Sequence, residues 1–345
     1  MLETGKPRIA VIGAGPAGIS AVQAAASLGA QIDWYDKSTH PGGKLNDYFQ
    51  LFPDRITARE ILEGFHLPNV SEAVSTHFGQ VVDQIKNSEG RIVLQSDNQQ
   101  IGEADAVIVA TGFDFFDARL KEEFGYGMYD QVITSTDLEK IFKTHPDDFK
   151  IDGHAPSSVA FVHCVGSRDQ QAGINYCSRL CCITGIKQAI EIKEMFPSCK
   201  VTNFYIDIRA FGSGYEELYR EAQEKFRIQF IRGRVSEASE NQQKKIVLKA
   251  EDTLMGRPLK LTVDWLVLLI GMVPSCTQVQ VDAGACIHPE TGFYLHPNSF
   301  SGSQLADQNG VFTAGACSGP VSIPEAISSG RSAAFEALEY LKRRS

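Results

Sequence analysis

The feature that most limits how this chain can fold is its glycine loop GAGPAG, residues 13–18. The apolar run RIAVI before the loop is typical of a buried parallel strand. The alanine-rich residues after it, which end at Gly29, predict a helix, and residues 31–35 predict a second strand that ends at Asp36. Together they predict a strand–turn–helix–strand unit whose first turn lies against phosphate groups.

Glycine is required at each of these three positions for a different physical reason. Gly13 makes the tight turn, Gly15 lets the backbone approach a pyrophosphate, and Gly18 lets the helix pack close to the strand. Asp36 follows Gly15 by 21 residues, the spacing at which an acid holds the hydroxyls of a ribose. A coincidental glycine loop is the alternative, which the strand, helix and acid around it disfavour.

Three further segments resemble those of FAD-binding proteins that have two dinucleotide-binding domains. They are HPGGKL at 40–45, AVIVATG at 106–112 and GVFTAG at 310–315, and an ordinary Pro-Gly turn is the alternative for the first. The resemblance implies FAD as the cofactor, but Ala316 stands where an aspartate usually follows the last glycine. The resemblance implies that FAD binds at Gly13, Gly15, Pro16, Ala17, Asp36, Lys37, Gly43, Lys44, Val82, Ala110, Thr111, Gly112, Gly315, Ala316 and Ala326.

The middle of the chain repeats this organisation without its glycine motif. Residues 157–164 predict a strand, but CVGSRD follows it with one glycine, so the pyrophosphate turn is absent. A helix at 186–196 and strands at 201–206 and 260–271 complete the predicted domain. We therefore expect an α/β fold of two nested Rossmann-like domains: 1–120 with 275–345 for FAD, and 121–274 as a nucleotide-type domain without a nucleotide motif.

Four of the eight cysteines lie in that second domain, at Cys164, Cys177, Cys181 and Cys182. Four thiolates are the ligand set of an iron–sulfur cluster, although the spacing C-x12-C-x3-C-C fits neither a zinc ribbon nor a bacterial ferredoxin. Four ordinary buried or free thiols are the alternative. The chain has no C-x-x-C redox pair in this stretch, which argues against thioredoxin reductase chemistry.

Composition excludes several classes of function. With 345 residues, 43% hydrophobic and 22% charged, the chain is long enough for two ordinary globular domains. A net charge of −9 argues against nucleic-acid binding, and the absence of a long apolar run argues against a transmembrane segment. The chain enters its first strand directly, without a signal peptide, and its cysteines are clustered. We therefore expect a cytoplasmic protein.

Six segments resemble the A subunit of heterodisulfide reductase and cover nearly the whole chain. They are CVGSRD, YCSRLCC, FYIDIRAFGSGYEELY (204–219), FIRGRVSE (230–237), AEDTLMGRPL (250–259) and VLLIGMVPS (267–275). The resemblance implies a [4Fe–4S] cluster on Cys164, Cys177, Cys181 and Cys182. The chain has no C-x-x-C-x-x-C ferredoxin module, so it is most similar to the short A subunit of the heterodisulfide-reductase-like complex of sulfur-oxidising prokaryotes.

The resemblance implies a flavin and iron–sulfur electron-transfer subunit of that complex, with B- and C-type subunits as partners and a homodimer as the oligomeric state. It also makes simple conversion between two-electron and one-electron transfer the expected chemistry, rather than electron bifurcation. A self-sufficient NAD(P)H-dependent flavin disulfide or ferredoxin reductase is the rival, and a non-catalytic scaffold that keeps FAD for stability is a third possibility.

Several other residues are candidates for catalysis or for support of the cofactors. Lys44 could stabilise a reduced anionic flavin or be a solvated lysine, and Cys317 could form a flavin adduct or only fill space. We expect His163 to be structural, and Cys199, Cys276 and Cys286 to be small apolar residues. Five arginines could offset the negative charge of a cluster or pair with nearby acids: Arg168, Arg179, Arg209, Arg232 and Arg234.

Overall fold

The computed structural model describes residues 6–65, 73–88, 90–150, 153–275, 279–281, 287–295 and 310–344. The chain forms two compact units. The first contains residues 1–46, 62–114 and 273–345, and the second contains residues 47–61 and 115–272. Within the described ranges, no helix combines the length and the apolar character that crossing a membrane requires.

The elements follow one another in this chain order: β1 (Arg8–Ile12), α1 (Pro16–Ser27), β2 (Gln31–Asp36), β3 (Gln50–Leu51), β4 (Ile56–Thr57), α2 (Ala58–Gly64), β5 (Val74–Phe78), β6 (Gln84–Ser88), β7 (Arg91–Ser96), β8 (Gln99–Ala104), β9 (Ala106–Val109), β10 (Phe113–Phe115), β11 (Val132–Thr134), α3 (Ser135–Thr144), β12 (Ser158–Val165), α4 (Cys181–Met195), β13 (Lys200–Tyr205), α5 (Tyr215–Glu224), β14 (Gln229–Arg232), β15 (Val235–Glu240), β16 (Ile246–Asp252), β17 (Arg257–Val263), β18 (Trp265–Ile270), β19 (Met272–Pro274), β20 (Gln280–Val281), β21 (Val311–Thr313) and α6 (Ile323–Arg344).

The first unit is built on a parallel sheet in the order β21-β9-β1-β2-β5. Its central strands β1 and β9 are buried almost throughout, as their continuous apolar sequences predict. Helices α1 and α6 pack closely because their contact is made of small residues. A Cβ added to Gly330 would lie 2.1 Å from the carbonyl oxygen of Ala17, so only glycine fits there. An antiparallel meander, β6-β7-β8, flanks this sheet.

The second unit is built on a parallel sheet in the order β11-β18-β12-β13-β14. Helices α3 and α4 contribute Leu138, Ile186 and Ile190 to its apolar core. An antiparallel sheet, β15-β16-β17, belongs to the same unit. The single strand predicted at 260–271 is wrong, because residues 257–263 end the antiparallel sheet and the parallel strand β18 begins only at Trp265.

Residues 47–61 belong to the second unit, whereas the sequence assigned them to the first. Their contacts explain the difference. The Phe49 amide donates to Glu139 at 2.9 Å, and the Lys187 ammonium donates to the Gln50 carbonyl at 2.9 Å. Arg55 forms ion pairs with Glu194 and Glu221 at 3.2 and 3.0 Å. These polar contacts with α3, α4 and α5 hold the segment in the second unit. Hydrophobic periodicity in the sequence does not predict such contacts.

Candidate functional site

The glycine loop of the first unit adopts the turn that its sequence predicts. Gly13 has a φ of 115°, and a Cβ there would lie 2.2 Å from the carbonyl oxygen of Ala110. The Gly13 amide donates to the Tyr35 carbonyl at 2.8 Å, and its own carbonyl accepts from the buried Trp34 indole at 3.0 Å. Strand β2 therefore holds the start of the loop by two hydrogen bonds, and the backbone of Ala110 leaves no room for a side chain at Gly13.

The next glycine has a different environment. A Cβ added to Gly15 would find no atom within 4 Å, so nothing in the described protein requires glycine at this position. Gly15 precedes α1, which has Pro16 at its start, no side chain that caps it and no acid in its first turn. An uncapped helix start with open space before it is an anion-binding arrangement. Gly15 and α1 therefore fit a pyrophosphate.

The carboxylate of Asp36 is held beside this loop at the end of β2. One oxygen accepts from the Ala14 amide at 2.5 Å, and the other accepts from the Ser38 amide at 2.6 Å. These bonds orient the carboxylate at the carboxyl edge of the sheet, where ligands of such sheets bind. The ribose contact itself stays a prediction. Lys37, the next predicted residue, is exposed.

The ends of the neighbouring strands β9 and β21 supply the other predicted flavin residues. The Thr111 hydroxyl is buried, and the described residues give it no hydrogen-bond partner. A buried orphan hydroxyl is uncommon and indicates a missing ligand contact. Gly315 has a φ of 73°, its amide donates to the Ser329 hydroxyl at 2.6 Å, and a Cβ there would lie 2.7 Å from that of Ala17.

The remaining predicted cofactor residues frame these positions. Gly112 has a φ of 73° and open space where a Cβ would be, as Gly15 does. Gly43 has a φ of 54°, and a Cβ there would lie 3.0 Å from the Gly15 Cα, so two glycines approach each other. The other members are small or apolar and mostly buried: Ala17, Val82, Ala110 and Ala326 are buried, and Pro16 and Ala316 are half-buried.

The two residues predicted to be catalytic have ordinary structural contacts. The Lys44 ammonium lies 3.6 Å from the Asp114 carboxylate and 5.2 Å from the centre of the Phe113 ring. The Cys317 thiol is buried and donates to the carbonyls of Val109 and Ala314, each at 3.2 Å. Burial raises the pKa of Cys317 to about 11, which favours the space-filling interpretation over a nucleophile.

In the second unit, the strand that leads to the cysteines is distorted at its end. The register of β12 against β18 shifts between Val162 and Val165. Cys164, inside this irregularity, has a φ of 63°, and Arg168 and Arg179 in the following loop have φ values of 54° and 62°. Left-handed backbone at non-glycine residues is costly, and such strain concentrates at functional sites.

The loop from 166 to 180 is held by hydroxyls that sequence reasoning missed. The Ser178 amide and hydroxyl both bond to the Ser167 hydroxyl, at 3.0 and 3.1 Å. The Ser178 hydroxyl also accepts from the Met272 amide at 2.8 Å, and the Tyr176 hydroxyl donates to the Met272 carbonyl at 3.0 Å. These serines are buried, and the loop is thereby held to Met272 at the start of β19.

Helix α4 begins at Cys181, five residues before the start predicted at 186. Cys181 and Cys182 therefore lie in its first turn. The Cys182 thiol donates to the Asp207 carbonyl at 3.5 Å, and the Cys177 sulfur accepts from the Arg179 amide at 3.3 Å. No side chain caps the helix, so its N-terminal amides favour negative charge.

The four predicted ligands are free thiols that influence one another electrostatically. Burial raises the pKa of Cys164, and the charge of Cys177 raises it further. Burial raises the pKa of Cys181 well above its ordinary value, and the other three thiols add to that effect. Burial also raises the pKa of Cys182 to about 12. Four mutually interacting thiols are the donor set that a [4Fe–4S] cluster requires.

Arginine side chains oppose that accumulation of negative charge. Arg168, Arg234 and Arg209 lower the pKa of Cys164, in that order of effect. Arg168 is anchored by an ion pair with Asp207 at 2.9 Å, and Arg234 donates to the Arg168 carbonyl at 2.9 Å. Within the described ranges, no three Cys, His, Asp or Glu side chains converge on a single ion. A cuboidal cluster does not require such convergence, because each thiolate binds a different iron.

His163 is structural, as the sequence predicts. Its Nε2 lies 2.9 Å from the Asn203 side-chain oxygen, and burial lowers its pKa to about 4, so the ring is neutral at pH 7. Cys199 is likewise buried and belongs to the core. Cys276 and Cys286 lie outside the described residues.

A cavity of about 600 Å³ lies at the same edge of this sheet. Its wall includes Cys164, Arg168, Tyr205 and Arg234. Lys121 also lines it and forms ion pairs with Asp169 and Glu123, both at 2.8 Å. The cavity thus combines one cysteine with several charged groups.

Residues 7–155 match the family of pyridine nucleotide-disulphide oxidoreductases. The chain is 42% identical over 244 residues to the A subunit of the H2:CoB-CoM heterodisulfide,ferredoxin reductase of Methanothermobacter marburgensis, a match that covers 68% of this chain and 37% of that protein. It is 40% identical over 249 residues to the second iron–sulfur A subunit of the CoB–CoM heterodisulfide reductase of Methanopyrus kandleri, covering 69% of this chain and 38% of that protein. The chain therefore belongs to the family of heterodisulfide reductase A subunits, and the matches span less than two fifths of the length of these relatives.

Solved structures agree with the expected fold. Thioredoxin reductase of Lactococcus lactis matches with a TM-score of 0.68 over 98% of this chain and 100% of that one, at 18% identity. Thioredoxin reductase of T. acidophilum matches with a TM-score of 0.66 over 99% of this chain and 100% of that one, at 19% identity. The expected thioredoxin-reductase-like α/β fold with two Rossmann-type sheets is confirmed.

Proposed function

We propose that this chain, an FAD-dependent oxidoreductase homologous to the A subunits of heterodisulfide reductases, is the flavin and iron–sulfur electron-transfer subunit of a cytoplasmic heterodisulfide-reductase-like complex in sulfur metabolism. One observation carries this proposal. In the second unit, four free cysteines and two arginines lie within or at the ends of the strand-to-helix connection, where a nucleotide-binding domain has its pyrophosphate turn.

The first unit would hold FAD through its backbone more than through its side chains. Gly13, Gly15 and the start of α1 would bind the pyrophosphate, and Asp36 would orient the ribose. The orphan hydroxyl of Thr111 and the left-handed backbone of Gly315 would face the rest of the cofactor. When bound, FAD supplies two-electron chemistry and a [4Fe–4S] cluster supplies one-electron transfer.

The second unit would hold the cluster through Cys164, Cys177, Cys181 and Cys182. Helix α4 would direct its first amides towards the negative cluster, and the arginines would offset the charge of the thiolates. The buried serines of the 166–180 loop would fix the positions of these ligands before the cluster binds. With one cluster and one flavin, conversion between two-electron and one-electron transfer is the chemistry that this residue set supports.

The proposed partners are B- and C-type subunits of such a complex, since the relatives themselves are named as subunits. A relation to the short A subunits of sulfur-oxidising prokaryotes, which the sequence segments above suggest, remains part of this proposal. We also propose a homodimer, because twofold homo-oligomers are the commonest assembly. Light scattering that gives a mass near 37.8 kDa at micromolar concentration would count against the dimer.

The experiment that tests this function is anaerobic purification with iron, sulfide and flavin quantified, followed by EPR of the reduced protein. We expect one FAD, four irons and four sulfides per chain, and a cluster signal after reduction. Protein that contains FAD but no iron after reconstitution under anaerobic conditions would refute the cluster and leave the flavoprotein assignment standing.

The rival function is a self-sufficient NAD(P)H-dependent flavin reductase, and the 600 Å³ cavity favours it. Arg168 and Arg234 line that cavity and could contact a nucleotide phosphate. The missing glycine motif opposes it, since the turn that cradles a pyrophosphate is absent. Rapid bleaching of the flavin by NADH or NADPH alone, followed by stopped-flow absorbance, would revive this rival.

A further inference from the structure

Ser178 lies between two of the proposed cluster ligands, Cys177 and Cys181, and its side chain is completely buried. Its oxygen accepts from the Met272 amide at 2.8 Å, and its hydroxyl donates to the Ser167 oxygen at 3.1 Å. Both partners are distant from Ser178 in sequence. The fold of the second unit therefore holds this hydroxyl in place among the cysteines.

The bond from the Ser178 hydroxyl to Ser167 is not needed to satisfy either serine. The Ser167 oxygen also accepts from the Ser178 amide at 3.0 Å, and its own proton goes to the Tyr176 carbonyl at 3.1 Å. The Ser178 oxygen keeps the Met272 amide as its donor. A hydroxyl proton rotates to suit its partners. The Ser178 proton can therefore turn to another acceptor and leave no buried group unpaired.

The sulfur of Cys181 is a second acceptor within reach of this proton. Burial raises the pKa of Cys181 well above its ordinary value and the other thiols add to that rise, whereas a hydrogen bond with Ser178 lowers the pKa. As a thiol, Cys181 itself donates to the Ile270 carbonyl at 3.8 Å. A sulfur that binds iron has lost its proton and only accepts, so it gives up that bond. The Ser178 hydroxyl then supplies a donor in its place.

Two other cysteines accept hydrogen bonds from the main chain. The Arg179 amide donates to the Cys177 sulfur at 3.3 Å. Burial raises the pKa of Cys182 to about 12, and the Arg209 backbone opposes that rise through a hydrogen bond. Ser178 differs from these donors because its proton belongs to a side chain. A substitution can therefore remove it and leave the main chain as it is.

Hydrogen bonds to the sulfur atoms are one of the factors that set the reduction potential of an iron–sulfur cluster. Reduction adds negative charge to the cluster and its thiolates, and a donor aimed at a sulfur stabilises that charge. The bond is electrostatically stronger inside a protein than in water, and both serines are buried. A hydroxyl at this position should therefore favour the reduced state of the cluster.

We propose that Ser178 is a positioning residue that donates a hydrogen bond to the Cys181 sulfur and thereby raises the reduction potential of the [4Fe–4S] cluster. The proposal rests on the proposed function, since it requires the cluster. Reduction adds one electron to the cluster, supplied by dithionite in the test below, and the hydroxyl proton stays on Ser178. A serine that only holds the loop in place is the alternative, and the test separates the two.

The test compares the full chain, loaded with its cluster, with the variants Ser178→Ala, Ser178→Thr and Ser167→Ala. Alanine at position 178 removes the hydroxyl, and threonine keeps it. Ser167→Ala is the matched control, because Ser167 is buried in the same network but donates to the Tyr176 carbonyl. Anaerobic titration with dithionite and redox mediators, followed by EPR, measures the midpoint potential of each cluster. Urea unfolding measures the stability of each variant.

We expect Ser178→Ala to hold about tenfold less reduced relative to oxidised cluster at a fixed potential, which is a midpoint about 59 mV more negative for a one-electron couple. Ser178→Thr and Ser167→Ala should keep the wild-type potential. Both alanine variants should lose stability, because one leaves the Met272 amide and the other the Ser178 amide without its acceptor. Potential and stability therefore change together only if the serine acts through structure alone.

Three results would overturn the proposal. The first is a wild-type potential in Ser178→Ala, and the second is an equal shift in Ser178→Ala and Ser167→Ala. The third is loss of the cluster from Ser178→Ala and Ser178→Thr alike, since the site would then depend on the size of the residue and not on its hydroxyl. Loss from Ser178→Ala alone, with the wild-type potential in the other two variants, would support it. A wild-type protein without iron would instead refute the proposed function.

Discussion

The two units of this protein each contain a parallel strand that is followed by a loop and a helix, and the two loops differ in kind. In the first unit, β1 passes to α1 through residues 13–15. In the second unit, β12 passes to α4 through residues 166–180. The first loop offers backbone amides to a ligand, whereas the second offers thiols. If the proposed sites are correct, the same edge of the same kind of sheet serves a nucleotide in one unit and a cluster in the other.

The glycines of the two loops make this difference concrete. Gly15 has open space where a Cβ would be, so its glycine is explained by a ligand. Gly166 has no such open space, because a Cβ there would lie 2.0 Å from the Phe116 ring. A Cβ on Gly271 would lie 2.5 Å from the Gly166 carbonyl oxygen. Gly166 and Gly271 therefore serve packing inside the protein, whereas Gly15 does not.

The largest effect is expected when the open space of the first loop is filled by a side chain. Gly15→Val should yield folded but flavin-free protein, because a side chain there blocks the approach of the pyrophosphate. The fold should survive, since no protein atom lies within 4 Å of the new Cβ. The measurement is the flavin content of the purified variant, read from its absorbance spectrum and compared with its circular dichroism.

Gly64→Val is the matched control, since Gly64 also has no atom within 4 Å of an added Cβ and lies on the exposed end of α2. That variant should retain full flavin occupancy. Normal flavin content in Gly15→Val would show that the glycine loop does not bind the cofactor.

The second loop is tested by removing its thiols one at a time. Each of the alanine variants of Cys164, Cys177, Cys181 and Cys182 should lose or degrade the cluster while FAD stays bound, because the flavin residues lie in the other unit. Iron content and EPR are the measurements, and Cys199→Ala, a buried cysteine outside this segment, is the control. A variant that keeps a full, spectroscopically unchanged cluster would remove that cysteine from the ligand set.

The first loop could be predicted from sequence because its residues are consecutive. Strand β1 and strand β2 have the bounds that the apolar runs predict, and the turn at Gly13 follows from its glycine. Each of these features depends on neighbours within a few positions of the chain. Local patterns therefore sufficed for the strand–turn–helix–strand start of this unit.

The second loop could not be predicted in the same detail, because its contacts are distant in sequence. Ser178 bonds to Ser167 and to Met272, and Lys187 binds Gln50 across 137 positions. A serine or a lysine in the sequence does not indicate such a partner. For the same reason, the assignment of residues 47–61 to the second unit required the structure.

The cores of the two units differ in charge, and this difference predicts a smaller but measurable dependence of stability on pH. The first core lies between alanine-rich helices, whereas the second buries Lys187 between Glu139 and Glu191. Glu139 also accepts from the side chain of Gln188, but neither oxygen of Glu191 has a hydrogen bond among the described residues. Burial therefore raises the pKa of Glu191 to about 8, despite the lowering effect of Lys187.

An acid whose pKa is higher in the folded state binds its proton more tightly there, so this group lowers stability as the pH rises. The loss runs from the unfolded pKa of 4.5 to about 8, at a rate of up to about 1.4 kcal/mol per pH unit. Glu191→Gln should remove that slope, so its gain in stability over wild type should be larger at pH 8.5 than at pH 5.5. Urea unfolding at both pH values measures this, with the exposed-site variant Glu339→Gln as control. Parallel pH profiles for wild type and Glu191→Gln would refute the raised pKa.

The smallest effect is expected at Cys317, where the first unit also has a cysteine at the end of a parallel strand. The Cys317 thiol donates to two backbone carbonyls, and burial raises its pKa to about 11. Cys317→Ala should therefore retain its FAD, keep flavin reduction by dithionite within about twofold of wild type, and lose about 1 kcal/mol of stability with the two hydrogen bonds. Flavin absorbance, stopped-flow reduction and urea unfolding test these three expectations. If the variant instead loses a long-wavelength flavin band or slows reduction tenfold, the thiol acts on the flavin, and thiol chemistry is not confined to the second unit.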